Sequence, residues 1–209
     1  MKPNTLFDEI RESKLRLHPF EENKGKVLMI GSSFFQLWPN AERDFAPVNV
    51  LNLGINGTRL KHWIRYIDST VMPYVPQGLI IYAGSNDFNE KANPDDVIKD
   101  LRALANKIKT SLPNIPVLYV GICPTISKQV FWDDIRSFNQ KAERLCRKTA
   151  GFHYIDSAPA IFNPDGTYRD DIYMDDLLHL NDKGYDCWRE ALIPAVKAVF
   201  LDGAYSRRV

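Results

Sequence analysis

Two hydroxyls stand directly behind a glycine at Gly31-Ser32-Ser33, and far downstream Asp176 and His179 lie three residues apart. A serine hydroxyl is a weak nucleophile at neutral pH and needs a base to take its proton. Neutral imidazole suits that task, because its ordinary pKa of about 6.5 lies near the working pH. A carboxylate beside the imidazole would hold its tautomer and stabilise the imidazolium. The spacing of Asp176 and His179 lets both face one side of a helical turn. Acyl chemistry also requires donors for an oxyanion, and two turns offer them: a backbone N–H at Gly57 and the side-chain amide of Asn86.

Each residue has a plainer reading. A serine-rich turn can simply cap the helix that follows it, and Asn86 can close a local turn. Of the four histidines, His18, His62, His153 and His179, only His179 has an acid three residues before it and an Asn-headed helix right after it. Asp171 and Asp175 compete with Asp176 as its partner. Asp87 is expected to brace its loop rather than react. Phe34, Phe35, Trp38, Phe131 and Trp132 are candidates to line an acyl pocket, although aromatic residues more often belong to a core.

The elements that must position these residues follow from hydrophobic patterning. Val27 to Ile30 is an apolar run suited to a strand buried on both faces. It is punctuated by Gly31, with a short helix from Phe34 stopped by Pro39. Further strands are expected at Val48 to Leu53, Gly78 to Ala83, Pro116 to Ile122 and Phe152 to Ile155. Helical stripes run through Leu6 to Leu17, Thr58 to Val71 and Trp132 to Thr149. Asn93-Pro94-Asp95-Asp96 is a strong helix start, since Asn caps, Pro fits the first turn and acids suit the positive end of the dipole. Asn181 heads a last helix running to about Phe200, which Pro194 kinks or divides. Strands alternating with helices predict an α/β protein with a five-stranded parallel sheet, a flavodoxin-like three-layer α/β/α sandwich. The loops after the first three strands then meet at one edge, where ligands bind in such sheets.

The 209 residues suit a single domain, 1–209, with residues 1–20 as an N-terminal helical leader. A net charge of +1 gives no basic field for nucleic acid. No run is long and apolar enough for a membrane span. The charged start lacks the apolar stretch of a signal peptide. Cys123, Cys146 and Cys187 are far apart, odd in number and form no metal-binding pair. Together these features predict a cytoplasmic protein with reduced thiols and no metal.

Gly31-Ser32-Ser33, Asn52-Leu53-Gly54-Ile55-Asn56-Gly57, Gly84-Ser85-Asn86-Asp87 and Asp176-Leu177-Leu178-His179 together resemble, in order and spacing, the four blocks of the SGNH (GDSL-like) hydrolases. The resemblance covers about residues 26 to 200. It implies Ser33 as nucleophile, His179 as base and Asp176 as its orienting acid. It implies an oxyanion hole made by the Ser33 and Gly57 backbone N–H groups and the Asn86 side chain. It also implies a cofactor-independent, metal-free hydrolase of small-molecule esters, short-chain acyl or acetyl esters above all. Two positions depart from the family pattern: Ser32 stands where an aspartate is usual, and Phe34 where a leucine is. Of the two glycines in the second block, Gly57 fits the oxyanion position by its place in the pattern. A thioesterase or acyltransferase with the same triad is the nearest alternative. A non-catalytic module holding an anion at the Gly31-Ser32-Ser33 turn is the alternative from another class. Oligomeric state is not encoded in any readable feature.

Overall fold

The computed structural model describes residues 6–90 and 92–202. The first five residues of the expected leader lie outside the described part. Its helix, α1, spans Leu6–Leu17.

Five strands form one parallel sheet: β1 Val27–Gly31, β2 Val50–Asn52, β3 Gly78–Tyr82, β4 Val117–Val120 and β5 Phe152–Ile155. Their order is β2-β1-β3-β4-β5, with every neighbouring pair parallel. The flavodoxin-like expectation therefore holds. The chain reverses direction across the sheet after β2, so the loops following β1, β2 and β3 converge on one edge, as the switch-point rule requires.

Alternate strand residues serve opposite layers because successive side chains point to opposite faces. Leu28, Ile30, Leu79, Ile81, Val117 and Tyr119 pack on one face with α4 (Leu60–Thr70), α5 (Pro94–Ser111) and α6 (Trp132–Lys148). Val27, Met29, Ile80, Tyr82, Leu118 and Val120 pack on the other, against α7 (Asp182–Phe200) and the short helices α2 (Ser33–Gln36) and α3 (Ala41–Asp44). Trp63 anchors the first layer and Trp188 the second, both fully buried. Removing roughly 200 Å² of surface from water is worth about 5 kcal/mol for each such indole.

Where element ends differ from the patterning, local hydrogen bonds explain the difference. The second strand is shorter than Val48 to Leu53 because Val48 N–H turns back to the Phe45 carbonyl. Helix α4 starts at Leu60 rather than Thr58, because the Thr58 hydroxyl is drawn to the Gly31 carbonyl at 2.9 Å. Pro194 sits inside α7 without dividing it. Asn93 caps α5 as expected, accepting from Asp95 and Asp96 N–H. No helix among the described residues is long and apolar enough to cross a membrane.

Candidate active site

Strand β1 delivers Gly31-Ser32-Ser33 to the converging edge. Gly31 has φ +154°, and a Cβ there would lie 2.1 Å from the Tyr82 carbonyl oxygen of β3. Only glycine permits that approach. Ser32 N–H then donates to the same Tyr82 carbonyl at 3.1 Å. Ser32 occupies the cap position of α2, yet its hydroxyl makes no capping hydrogen bond. A turn that exists only to cap its helix is therefore not what the chain builds. Ser33 is the first residue of α2 and is largely buried.

The second block is tied to the first through one carbonyl. Gly31 O accepts Ile55 N–H at 2.8 Å and the Thr58 hydroxyl at 2.9 Å. Trp63 Nε1 holds that hydroxyl from behind at 3.3 Å. The two glycines of this block do different jobs. A Cβ on Gly54 would lie 2.7 Å from Gln36 N and from Phe35 Cβ, so this glycine lets the loop pack on α2. Gly57 has φ +72° with open space around it, so its need is conformational, in an exposed turn.

The third block adds Asn86 beside the second. Its Nδ2 donates to the Thr58 carbonyl at 3.0 Å. An amide nitrogen carries two hydrogens, so one is left for a ligand. Asp87 is buried, and its carboxylate accepts Leu60 N–H at 3.4 Å. Burial raises its pKa to about 7, against the opposing pull of the Leu60 N–H. It braces the start of α4, in line with the sequence expectation.

Asp176 and His179 meet, but not on a helix. Tyr173 and Leu180 form an isolated antiparallel bridge, and Met174 N–H donates to the His179 carbonyl at 2.7 Å. Leu177, with φ +54°, turns the chain between them. Within this turn Asp176 Oδ1 accepts Leu178 N–H at 2.9 Å and His179 N–H at 2.8 Å. Its Oδ2 lies 2.6 Å from His179 Nδ1. Partial desolvation opposes ionisation of Asp176. The two N–H groups and the imidazole outweigh it and hold the carboxyl below its usual range. With Nδ1 engaged, Nε2 is the ring nitrogen left to act as a base.

The rival residues have other occupations. Asp171 pairs with Lys183 and Arg169, and His62 Nδ1 accepts Arg59 N–H at 3.0 Å at the start of α4. Two ties bring the distant Asp176–His179 turn to the serine turn. The His179 ring lies 6.5 Å from that of Phe34, the residue after Ser33, and Tyr185 of α7 donates its hydroxyl to the Phe34 carbonyl at 3.0 Å. Sequence reasoning missed Thr58 and Tyr185. Their roles are bonds to carbonyls far along the chain, for which no local pattern exists.

With this arrangement in place, residues 29–187 match the model of the GDSL-like lipase/acylhydrolase family. The chain belongs to that family. It is a carboxylic ester hydrolase, and its substrates are small-molecule esters. Among curated proteins no sequence matches. Solved structures share the fold at low identity. A protein from Streptococcus pneumonia has a TM-score of 0.79 at 18% identity, covering 91% of this chain and 92% of that one. A GDSL-like lipase from Bacteroides thetaiotaomicron has a TM-score of 0.69 at 18% identity, covering 92% and 97%. A variant of an acetyl-xylooligosaccharide esterase from Geobacillus has a TM-score of 0.67 at 16% identity, covering 83% and 96%.

For this GDSL-like acylhydrolase the expected aromatic lining needs correction. Phe34, Phe35 and Trp38 are buried in the core, clustered on Trp188 with ring centroids 5.2, 5.9 and 5.4 Å away. Phe131 packs against the opposite layer. Trp132 stacks on Tyr168 at 4.3 Å and lines a cavity of about 660 Å³ between α6 and the segment after β5. None of Ser33, Asp176 or His179 borders that cavity. Among the described residues no cluster of three or more His, Cys, Asp or Glu side chains is arranged to hold a metal ion.

Proposed function

We propose that this acylhydrolase cleaves short-chain carboxylic esters, acetyl esters above all, through an acyl-enzyme on Ser33. The 2.6 Å contact between Asp176 Oδ2 and His179 Nδ1, in a turn tied to the segment that follows Ser33, carries the reading. Asp176 holds the imidazole with its proton on Nδ1, and Nε2 takes the Ser33 proton as the hydroxyl attacks the ester carbonyl. The tetrahedral oxyanion is held by the Ser33 and Gly57 N–H groups and the second Nδ2 hydrogen of Asn86, at ~3 Å. His179 then protonates the leaving alcohol and later activates the water that releases the acid.

The preference for acetyl groups is motivated by the acetyl-xylooligosaccharide esterase among the solved relatives. The anion-binding module finds little support, because α2 has only four residues and develops little of the dipole such a site uses.

A panel of p-nitrophenyl esters of graded acyl length, acetylated xylo-oligosaccharides and an acyl-CoA tests the proposal. Activity is expected to fall with acyl length and to be weak on the thioester. Ser33→Ala is expected to abolish turnover and fluorophosphonate labelling in a folded protein, whereas Ser32→Ala should be affected far less. Near wild-type activity in Ser33→Ala, or equal loss in both variants, would overturn the assignment.

A further inference from the structure

Lys128 is a buried lysine, 4% exposed, whose ammonium donates to the Ser85 carbonyl at 2.6 Å. A buried ammonium is costly to keep without a matched partner. Ser85 immediately precedes Asn86 and is itself buried. Lys128 lies in a 3-10 segment, Ile126–Phe131, between β4 and α6, with backbone angles of −104° and 19° that break the helical run. The residue before it, Ser127, donates its N–H to the Leu177 carbonyl at 3.1 Å, inside the Asp176–His179 turn. Two adjacent residues of one strap thus hold the two loops that flank the serine: Lys128 grips the Asn86 loop and Ser127 the acid–base turn. The strap is also pinned by Trp132 Nε1 on the Thr125 carbonyl at 2.8 Å.

We propose that Lys128 is a positioning residue for ester hydrolysis, clamping the Ser85 carbonyl so that the Asn86 amide is aimed at the developing oxyanion. The inference rests on the reading of Ser33, His179 and Asn86 given above. Within that loop Asp87 N–H donates to the Gly84 carbonyl at 3.1 Å and Asn86 Nδ2 to the Thr58 carbonyl at 3.0 Å, and Lys128 adds the bond on Ser85 between them. Burial lowers the Lys128 pKa to about 8, and the facing Asp87 carboxylate pulls it back up.

The test compares wild type, Lys128→Met and Ser33→Ala on p-nitrophenyl acetate, with a melting curve for each protein. Lys128→Met keeps the apolar stem of the side chain as far as Cε but cannot donate. It is expected to lower kcat about tenfold with KM within about twofold, and to weaken inhibition by an alkyl boronic acid, a tetrahedral mimic, by the same factor as kcat/KM. A merely structural role would not move the boronate affinity in step with turnover. Lys128→Gln, polar but ending one bond short of Ser85, is the second variant and should show the same loss. A folded Lys128 variant with wild-type kcat, or one altered in KM alone, overturns the inference. If Ser33→Ala stays active, the nucleophile assignment has failed instead, so the two failures are distinguishable.

Discussion

The Tyr185 hydroxyl of α7 donates to the Phe34 carbonyl of α2 at 3.0 Å, across 151 positions of the chain. Helix α2 is too short to satisfy that carbonyl itself, since Trp38 N–H, its partner in a longer helix, goes to Phe35. The bond therefore does two things. It gives a buried acceptor a donor, and it fixes the segment carrying His179, which enters α7 directly, against the segment carrying Ser33. Burial pushes the Tyr185 phenol well above its ordinary pKa, so it remains a donor at any physiological pH.

Tyr185→Phe should lower stability by roughly 1–2 kcal/mol, the cost of stranding a buried acceptor. Turnover should fall several-fold as the two segments loosen. Urea unfolding monitored by tryptophan fluorescence reads the first effect and steady-state kinetics the second. An unchanged midpoint would show that water or another group replaces the phenol.

Asp176→Asn is expected to lower kcat by on the order of 10²–10⁴ with the fold intact. Asparagine can still accept the Leu178 and His179 N–H groups through its oxygen, so the turn should survive. Its NH₂ group, however, would face Nδ1 and drive the imidazole proton to Nε2, where no base remains for the serine. Because the Leu178 and His179 N–H groups and the imidazole hold the Asp176 carboxyl below its usual range, Asp176 should stay ionised across neutral pH in the wild type. A loss below threefold in Asp176→Asn, on any ester the wild type cleaves, would remove Asp176 from the catalytic group.

Asp87 predicts an unusual pH dependence of stability. Its pKa is raised by burial from 3.8 to about 7, so between those values the folded state holds a proton that the unfolded state has released. Stability from this group is therefore full below about pH 4, falls as pH rises towards 7 and is flat above that. At about 1.4 kcal/mol per pKa unit the loss amounts to a few kcal/mol. Asp87→Asn, which keeps an acceptor for Leu60 N–H, should match wild type near pH 4.5 and exceed it at pH 8. Chemical denaturation of both proteins at the two pH values measures the difference directly. Parallel stabilities at both would mean that Asp87 ionises in the folded state at its ordinary pH.

The sequence by itself determined the sheet and its order of layers, because apolar runs bounded by glycine turns and amphipathic stripes with Asn caps are local signals. It also determined which residue types stand at the ends of β1, β3 and the loop after β2, and hence the family blocks, since each block is a short run read in place. The distinct needs of Gly54 and Gly57 were invisible, because one depends on how closely a loop packs against α2 and the other on a backbone angle.

Tertiary structure alone decided the rest. Three residues of spacing suggested a helical turn for Asp176 and His179. The chain instead closes a bridged turn around Leu177, in which backbone N–H groups organise the carboxylate before the imidazole meets it. The aromatics after Ser33 became core rather than pocket, because α2 lies against Trp188 of α7, and nothing local encodes that packing. Likewise nothing in the local sequence marks out Lys128. Only the fold buries its ammonium on the Ser85 carbonyl. The physical reason is common to all three. Patterning records what each segment does to its own backbone and to water, whereas a site is made by contacts between segments far apart in the chain, whose distances are set only when the layers close.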